Sequence, residues 1–122
     1  NIITRHRRLR DMVRAGVRAL GLELLAADEV SSSAVTAVIA PPAVEADTIR
    51  STLRERFNVV IAGGQNQLKN KIFRIGHLGY VQELDILAVL AALEMSLAMN
   101  RYQVNLGQGV RAAQEIAMKA MA

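Results

Sequence analysis

Two apolar runs flank a polar loop. The first is Val59-Val60-Ile61-Ala62-Gly63-Gly64, the loop is Gln65-Asn66-Gln67-Leu68-Lys69-Asn70, and the second is Lys71-Ile72-Phe73-Arg74-Ile75-Gly76-His77-Leu78-Gly79. Both runs are short, rich in β-branched residues and closed by glycine, the pattern of β-strands. Strands are expected over 59–62 and 71–75. Joined by about eight residues, they predict an antiparallel hairpin with a long loop. Along the second strand side chains alternate in direction. Phe73 and Ile75 point one way, Arg74 and Ile72 the other. If Phe73 and Ile75 meet the core, Arg74 points off the opposite face.

Upstream, residues 45–57 read as a helix with Ile49, Leu53 and Phe57 on one face and Arg50, Arg54 and Glu55 outside it. Residues 34–40 form a short β-branched run between serines and Pro41-Pro42, a first strand. Residues 4–20 place Leu9, Val13, Val17 and Leu20 on one helical face and Arg7, Arg10, Arg14 and Arg18 on the other. Gly21 supplies the stop. Residues 22–33 carry no clear periodicity, and Ser31-Ser32-Ser33 read as a loop.

Downstream, residues 82–100 predict a helix whose only charges are Glu83, Asp85 and Glu94. Leu84, Leu87, Ala91 and Met95 share one side, and Ile86, Leu93 and Leu97 the other. A helix apolar all round must be covered on more than one side. One small sheet covers one side, so the second implies another domain, another subunit or lipid. Residues 101–122 return through Gly107 and Gly109 to a short Ala-rich helix. The order α-β-α-β-β-α plus a terminal helix predicts a two-layer α/β (α+β) domain. Its sheet is small and mostly antiparallel, with helices on one face and the other face bare. The length of 122 residues fits a single domain, 1–122.

The absence of Cys excludes disulfide scaffolds, thiolate zinc sites and thiol catalysis. No apolar run reaches the roughly 18 residues that span a bilayer. No secretory pattern opens the chain, so a cytoplasmic protein without membrane partners is expected. The net charge of +4 is unevenly placed: residues 1–18 hold six Arg against Asp11, while the rest holds nine basic and ten acidic groups. A nucleic-acid patch would need a binding motif and stacking aromatics. Only Phe57, Phe73, Tyr80 and Tyr102 are aromatic, so the arginines read better as the solvated face of a helix, with no nucleic-acid partner.

Arg74 is the residue most suited to chemistry. A planar guanidinium grips a carboxylate through two parallel charge-assisted hydrogen bonds. An ordinary strand arginine in a surface ion pair has the same spacing. His6 and His77 stand apart from each other and from paired carboxylates, which fits neither a metal site nor a triad. Gly107-Gln108-Gly109-Val110-Arg111-Ala112 matches GxGxxA, but a dinucleotide site needs a preceding strand and a βαβ unit around it. Lys69, Lys71 and Lys119, the only lysines, lack an apolar context for Schiff-base work.

The stretch from Val59 to Gly79 resembles the C-terminal small domain of class V pyridoxal-phosphate aminotransferases. The nearest group is alanine–glyoxylate / serine–glyoxylate (serine–pyruvate), some of whose members carry the label small (tritium-exchange) subunit of a soluble hydrogenase. Arg14-Ala15-Gly16-Val17-Arg18-Ala19-Leu20-Gly21-Leu22 looks like that family's first small-domain helix and stop. Residues 33–42 look like its first strand, and 82–98 like its last helix. Ala43 departs from the glycine many relatives have after Pro42. The resemblance implies that Arg74 binds the α-carboxylate of a small amino-acid or oxo-acid substrate, with Gly63, Gly64 and Gly76 lining the site. It also implies a parent enzyme, expected to be a homodimer, whose large domain precedes this one. That domain would hold pyridoxal phosphate, the lysine that carries it, the aspartate under its pyridine nitrogen and its phosphate-binding residues. This chain then carries no catalytic, cofactor-binding or metal-binding residue and is inactive alone. The alternative is a stand-alone α/β interaction module whose basic helix docks an acidic partner.

Overall fold

Phe73 and Ile75 are buried in the core, and Arg74 between them is turned to the other side of the sheet, as strand alternation requires. The computed structural model describes residues 2–27, 34–77 and 81–122. The serine loop at 31–33 and residues 78–80, at the end of the glycine-rich motif, lie outside the described residues. The sheet has four strands: β1 (Glu23–Leu24), β2 (Val35–Ile39), β3 (Ala62–Gly63) and β4 (Ile72–Gly76), in the order β1-β2-β4-β3. All neighbours are antiparallel. Phe73 lies opposite Val38 and Gly63, while Arg74 lies opposite Ala37 and Ala62. Cross-strand partners share a face, so Ala37, Ala62 and Arg74 stand together on one side.

Two elements differ from the sequence expectation. The strand expected at 59–62 is only Ala62–Gly63. Asn58 takes a left-handed conformation (φ 55°), and the Val59 N–H turns back to the Leu53 carbonyl at 3.0 Å, ending the preceding helix. The Ile61 carbonyl is taken by Arg50, so residues 59–61 run along the helix end before they can pair. Strand β1 was not legible, because two residues offer no alternation. It joins β2 in register and is continued by Leu25 N–H to the Ala37 carbonyl.

Four helices, α1 (Ile2–Ala19), α2 (Ala46–Phe57), α3 (Glu83–Met99) and α4 (Gln108–Met121), build the second layer. Leu9, Val13, Val17, Ile49, Leu53, Leu90, Leu93 and Leu97 are fully buried and join Val38, Phe73 and Ile75 in one aliphatic core. On the opposite sheet face Val35, Ala62 and Gly76 are exposed. Arg14 corrects the expected polar face of α1. It is buried at 4% exposure, and its Nη2 donates to the Ala26 carbonyl, because residues 22–27 fold over it. Along α3, Ile86, Leu93 and Leu97 are buried, while on the other expected side Leu84 and Met95 are exposed and Leu87 and Ala91 half-buried.

Helix α4 is longer than a short appendage and packs closely on α1. Its glycines permit the approach. A Cβ on Gly109 would stand 2.9 Å from Leu20 and 3.0 Å from the Gly16 carbonyl. Two of the helix starts borrow acceptors from other elements. Asn70 Oδ1 accepts the Asp47 N–H of α2 at 2.9 Å. Glu94 of α3 accepts the N–H groups of Gly107 and Val110 at the start of α4. Helix α3 starts instead with a capping box between Gln82 and Asp85.

Candidate functional site: the cleft at Arg74

Arg74, in the middle of β4, lines an open cleft of about 410 Å³ bounded by β2, the 60–62 segment and the start of α3. Its Nε donates to the Gly63 carbonyl at 2.9 Å, which fixes the plane of the guanidinium. Among the described residues its two Nη groups have no hydrogen-bond or ion-pair partner. The walls are mainly apolar, with Val35, Val60, Ile61 and Val89 among them, and Asp85 lies on the lining near the start of α3. The Asp85 carboxylate is engaged at home, accepting the Gln82 N–H at 2.8 Å. A cation whose fork is partly held and partly open, in mainly apolar surroundings, suits a small carboxylate.

The glycines named with Arg74 divide. Gly63 supplies the carbonyl that holds it, and Gly76 lines the same cleft. Gly64 is off the cleft lining and sits where a Cβ would lie 2.2 Å from the Leu68 carbonyl oxygen, so its place is in the tight loop. His77 is fully buried, with Nε2 2.9 Å from Thr36 Oγ1, a link between β4 and β2. His6 is half-buried on α1. The GxGxxA stretch forms the start of α4, with Gly107 at φ 92°. The Glu94 carboxylate occupies the position at the helix N-terminus that a phosphate would need. Lys69, Lys71 and Lys119 are exposed and do not line the cleft.

The arginines of α1 are largely engaged within the domain. Arg8 pairs with Glu83 at 2.6 Å, and Arg5 donates to the Val81 carbonyl at 2.7 Å, tying α1 to the start of α3. Among the described residues no cluster of His, Asp or Glu could hold a metal ion, and no helix is long and apolar enough to cross a membrane.

Sequence reasoning missed Arg50. It lies on α2, donates its Nε to the Ile61 carbonyl at 3.2 Å and pairs through Nη1 with Asp47 at 3.0 Å. The i, i+3 spacing of Asp47 and Arg50 was readable, but the carbonyl it reaches was not.

Sheet order, helix placement and an outward arginine on the central strand define a two-layer α+β domain of the aminotransferase small-domain type. No family model matches the chain. It is 50% identical over 117 residues to the soluble hydrogenase 42 kDa subunit of Anabaena cylindrica, covering 95% of this chain and 30% of that protein. It is 43% identical over 114 residues to the serine–glyoxylate aminotransferase of Arabidopsis thaliana, covering 93% and 28%. Ureidoglycine–glyoxylate aminotransferase from Bacillus subtilis superposes with a TM-score of 0.89 at 32% identity, over 94% of this chain and 30% of that one. The chain is thus a homologue of the small C-terminal domain of class V aminotransferases. It spans about 30% of the length of the curated relatives it matches.

Proposed function

We propose that this chain is the C-terminal domain of a pyridoxal-phosphate-dependent aminotransferase. The parent moves an amino group from alanine or serine to glyoxylate or a similar 2-oxo acid, and Arg74 grips the substrate's α-carboxylate. The observation that carries this reading is the Arg74 guanidinium, held through Nε by Gly63 and open at both Nη groups in the cleft. A carboxylate seated there gains charge-assisted bonds that are stronger where apolar walls exclude water. Its α-carbon is thereby held in one orientation, which lowers the entropic part of the barrier.

The cofactor, when bound, supplies the electron sink for chemistry at the α-carbon. The three lysines here are exposed and off the cleft. Its anchor is therefore assigned to a large domain of the same chain preceding this one, in a cytoplasmic homodimer. The open apolar side of α3 and the bare sheet face are where that domain would pack. The isolated domain should not transaminate. The alternative, an interaction module docking through its basic helix, loses support because Arg5, Arg8 and Arg14 are bonded within the domain.

The test is Arg74→Ala in the full-length parent. The expected outcome is a fall of about 100- to 1,000-fold in kcat/KM for glyoxylate and for the amino donor, or about 3–4 kcal/mol of lost binding. Arg74→Lys should recover only part of it, since an ammonium cannot form the parallel pair. Unchanged kinetics in Arg74→Ala would remove Arg74 from the site.

A further inference from the structure

Arg50 and Arg74 come from different elements and different faces of the sheet, yet both meet at one short piece of backbone, residues 61–63. From the outer face, Arg74 Nε donates to the Gly63 carbonyl. From the helix side, Arg50 Nε donates to the Ile61 carbonyl, and the guanidinium fills the space where a Gly63 side chain would stand. A Cβ built there would stand 2.6 Å from Nη1, 3.0 Å from Cζ and 3.3 Å from Nε of Arg50. Asp47 pairs with that same Nη1 at 3.0 Å. Strand β3 is only two residues long and pairs with β4 at two positions, Ala62 with Arg74 and Gly63 with Phe73. Among the described residues it has no neighbouring strand on its other side. The carbonyl that aims Arg74 therefore sits on a thin edge segment, and Arg50 is the side chain that braces it from α2.

We propose that Arg50 is a positioning residue for Arg74: it acts through the 61–63 backbone to fix the angle of the carboxylate-binding guanidinium. This rests on the reading of Arg74 as the carboxylate clamp. It gives Gly63 a reason to be glycine, because a side chain there would displace Arg50. Asp47 completes the brace by pairing with Arg50 Nη1. The arrangement needs no contact between Arg50 and substrate, so its effect must pass through Arg74.

The experiment is a double-mutant cycle in the full-length parent, reading KM and kcat for glyoxylate in the wild type, Arg50→Ala, Arg74→Ala and the double variant. Arg50→Ala should raise KM by about tenfold with kcat changed less than about twofold, and the same substitution in the Arg74→Ala background should add almost nothing. Gly63→Ala, which displaces Arg50 without altering either arginine, should reproduce the KM increase. Arg50→Lys should not restore KM, because an ammonium lacks the flat fork that lies on the strand. Unchanged KM in Arg50→Ala overturns the proposal. So does an effect that persists undiminished when Arg74 is absent, which would make Arg50 a general stabiliser of the domain. A silent Arg74→Ala would instead sink the carboxylate reading itself, whatever Arg50 does. Arg50 is about a third exposed, so its replacement leaves the core intact.

Discussion

Glu94 is an acidic residue, 3% exposed and set two-thirds of the way along a mainly apolar helix. A carboxylate in such a place is tolerated only when its oxygens are hydrogen-bonded. The N–H groups of Gly107 and Val110 meet that need, the latter at 2.9 Å, and the positive end of the α4 dipole adds to it. Glu94→Ala should lower unfolding free energy by about 2 kcal/mol, since it takes the acceptor from two part-buried N–H donors. Glu94→Gln, which keeps an acceptor, should lose less. Urea unfolding of the chain measures both, and an alanine variant as stable as wild type would mean that α4 starts without help from α3. In the sequence Glu94 reads only as one of three charges on an apolar helix. Its target lies beyond a loop, and loop geometry is not written in periodicity. Arg74 is the opposite case. Its face follows from alternation with Phe73 and Ile75 alone, whereas its Gly63 partner depends on a pairing register that no local pattern encodes.

At the scale of elements, α1 and α4 meet through Gly16 and Gly109, and each glycine leaves less room than a methyl group needs. The two positions differ in what surrounds them. Each faces the other's carbonyl oxygen at 3.0 Å, but the nearest neighbours of Gly16 are the flexible ends of Leu90, whereas those of Gly109 are the Leu20 branch carbon and the Glu94 carboxylate. Gly109→Ala should therefore cost about 2 kcal/mol, within the range for overpacking, and Gly16→Ala less, since Leu90 can turn aside and alanine favours the helix. Thermal unfolding of the two variants decides the order. A Gly109→Ala protein with an unchanged or raised Tm would contradict the close approach. Helices α1, α2 and α3 were legible to within two residues at most boundaries, because each has a long apolar repeat. The hairpin was legible as antiparallel but not in length, because the end of α2 consumes the N–H of Val59. The extent of α4 was hidden by its glycines. Gly107 lies just outside the helix and Gly109 in its first turn, where neither breaks it.

For the whole molecule, the exposed side of α3 and the rim of the cleft present Leu84, Met95, Met99 and Val60 to solvent. Apolar groups gathered on one side are a surface that associates. The isolated chain should bind a hydrophobic dye and form larger species as its concentration rises in sedimentation. Leu84→Glu with Met99→Glu should reduce both. A strictly monomeric chain that leaves the dye dark would remove the argument for a covering partner. Two-sided apolarity was readable from α3 alone, since no single sheet could satisfy it. Which residues stay uncovered depends on how α1, α2 and α4 divide the helix surface among them.

The seam between α1 and α4 also sets an order of events at the ribosome. About ninety residues separate Gly16 from Gly109, so at roughly 5–20 residues per second α1 emerges some 5–20 s before its partner exists. During that interval Leu9, Met12, Val13 and Val17, all at 0% exposure in the finished domain, have no α4 to share their shelter. The nascent helix thus spends those seconds with its apolar face uncovered by α4, while its six arginines give neighbouring copies like charge.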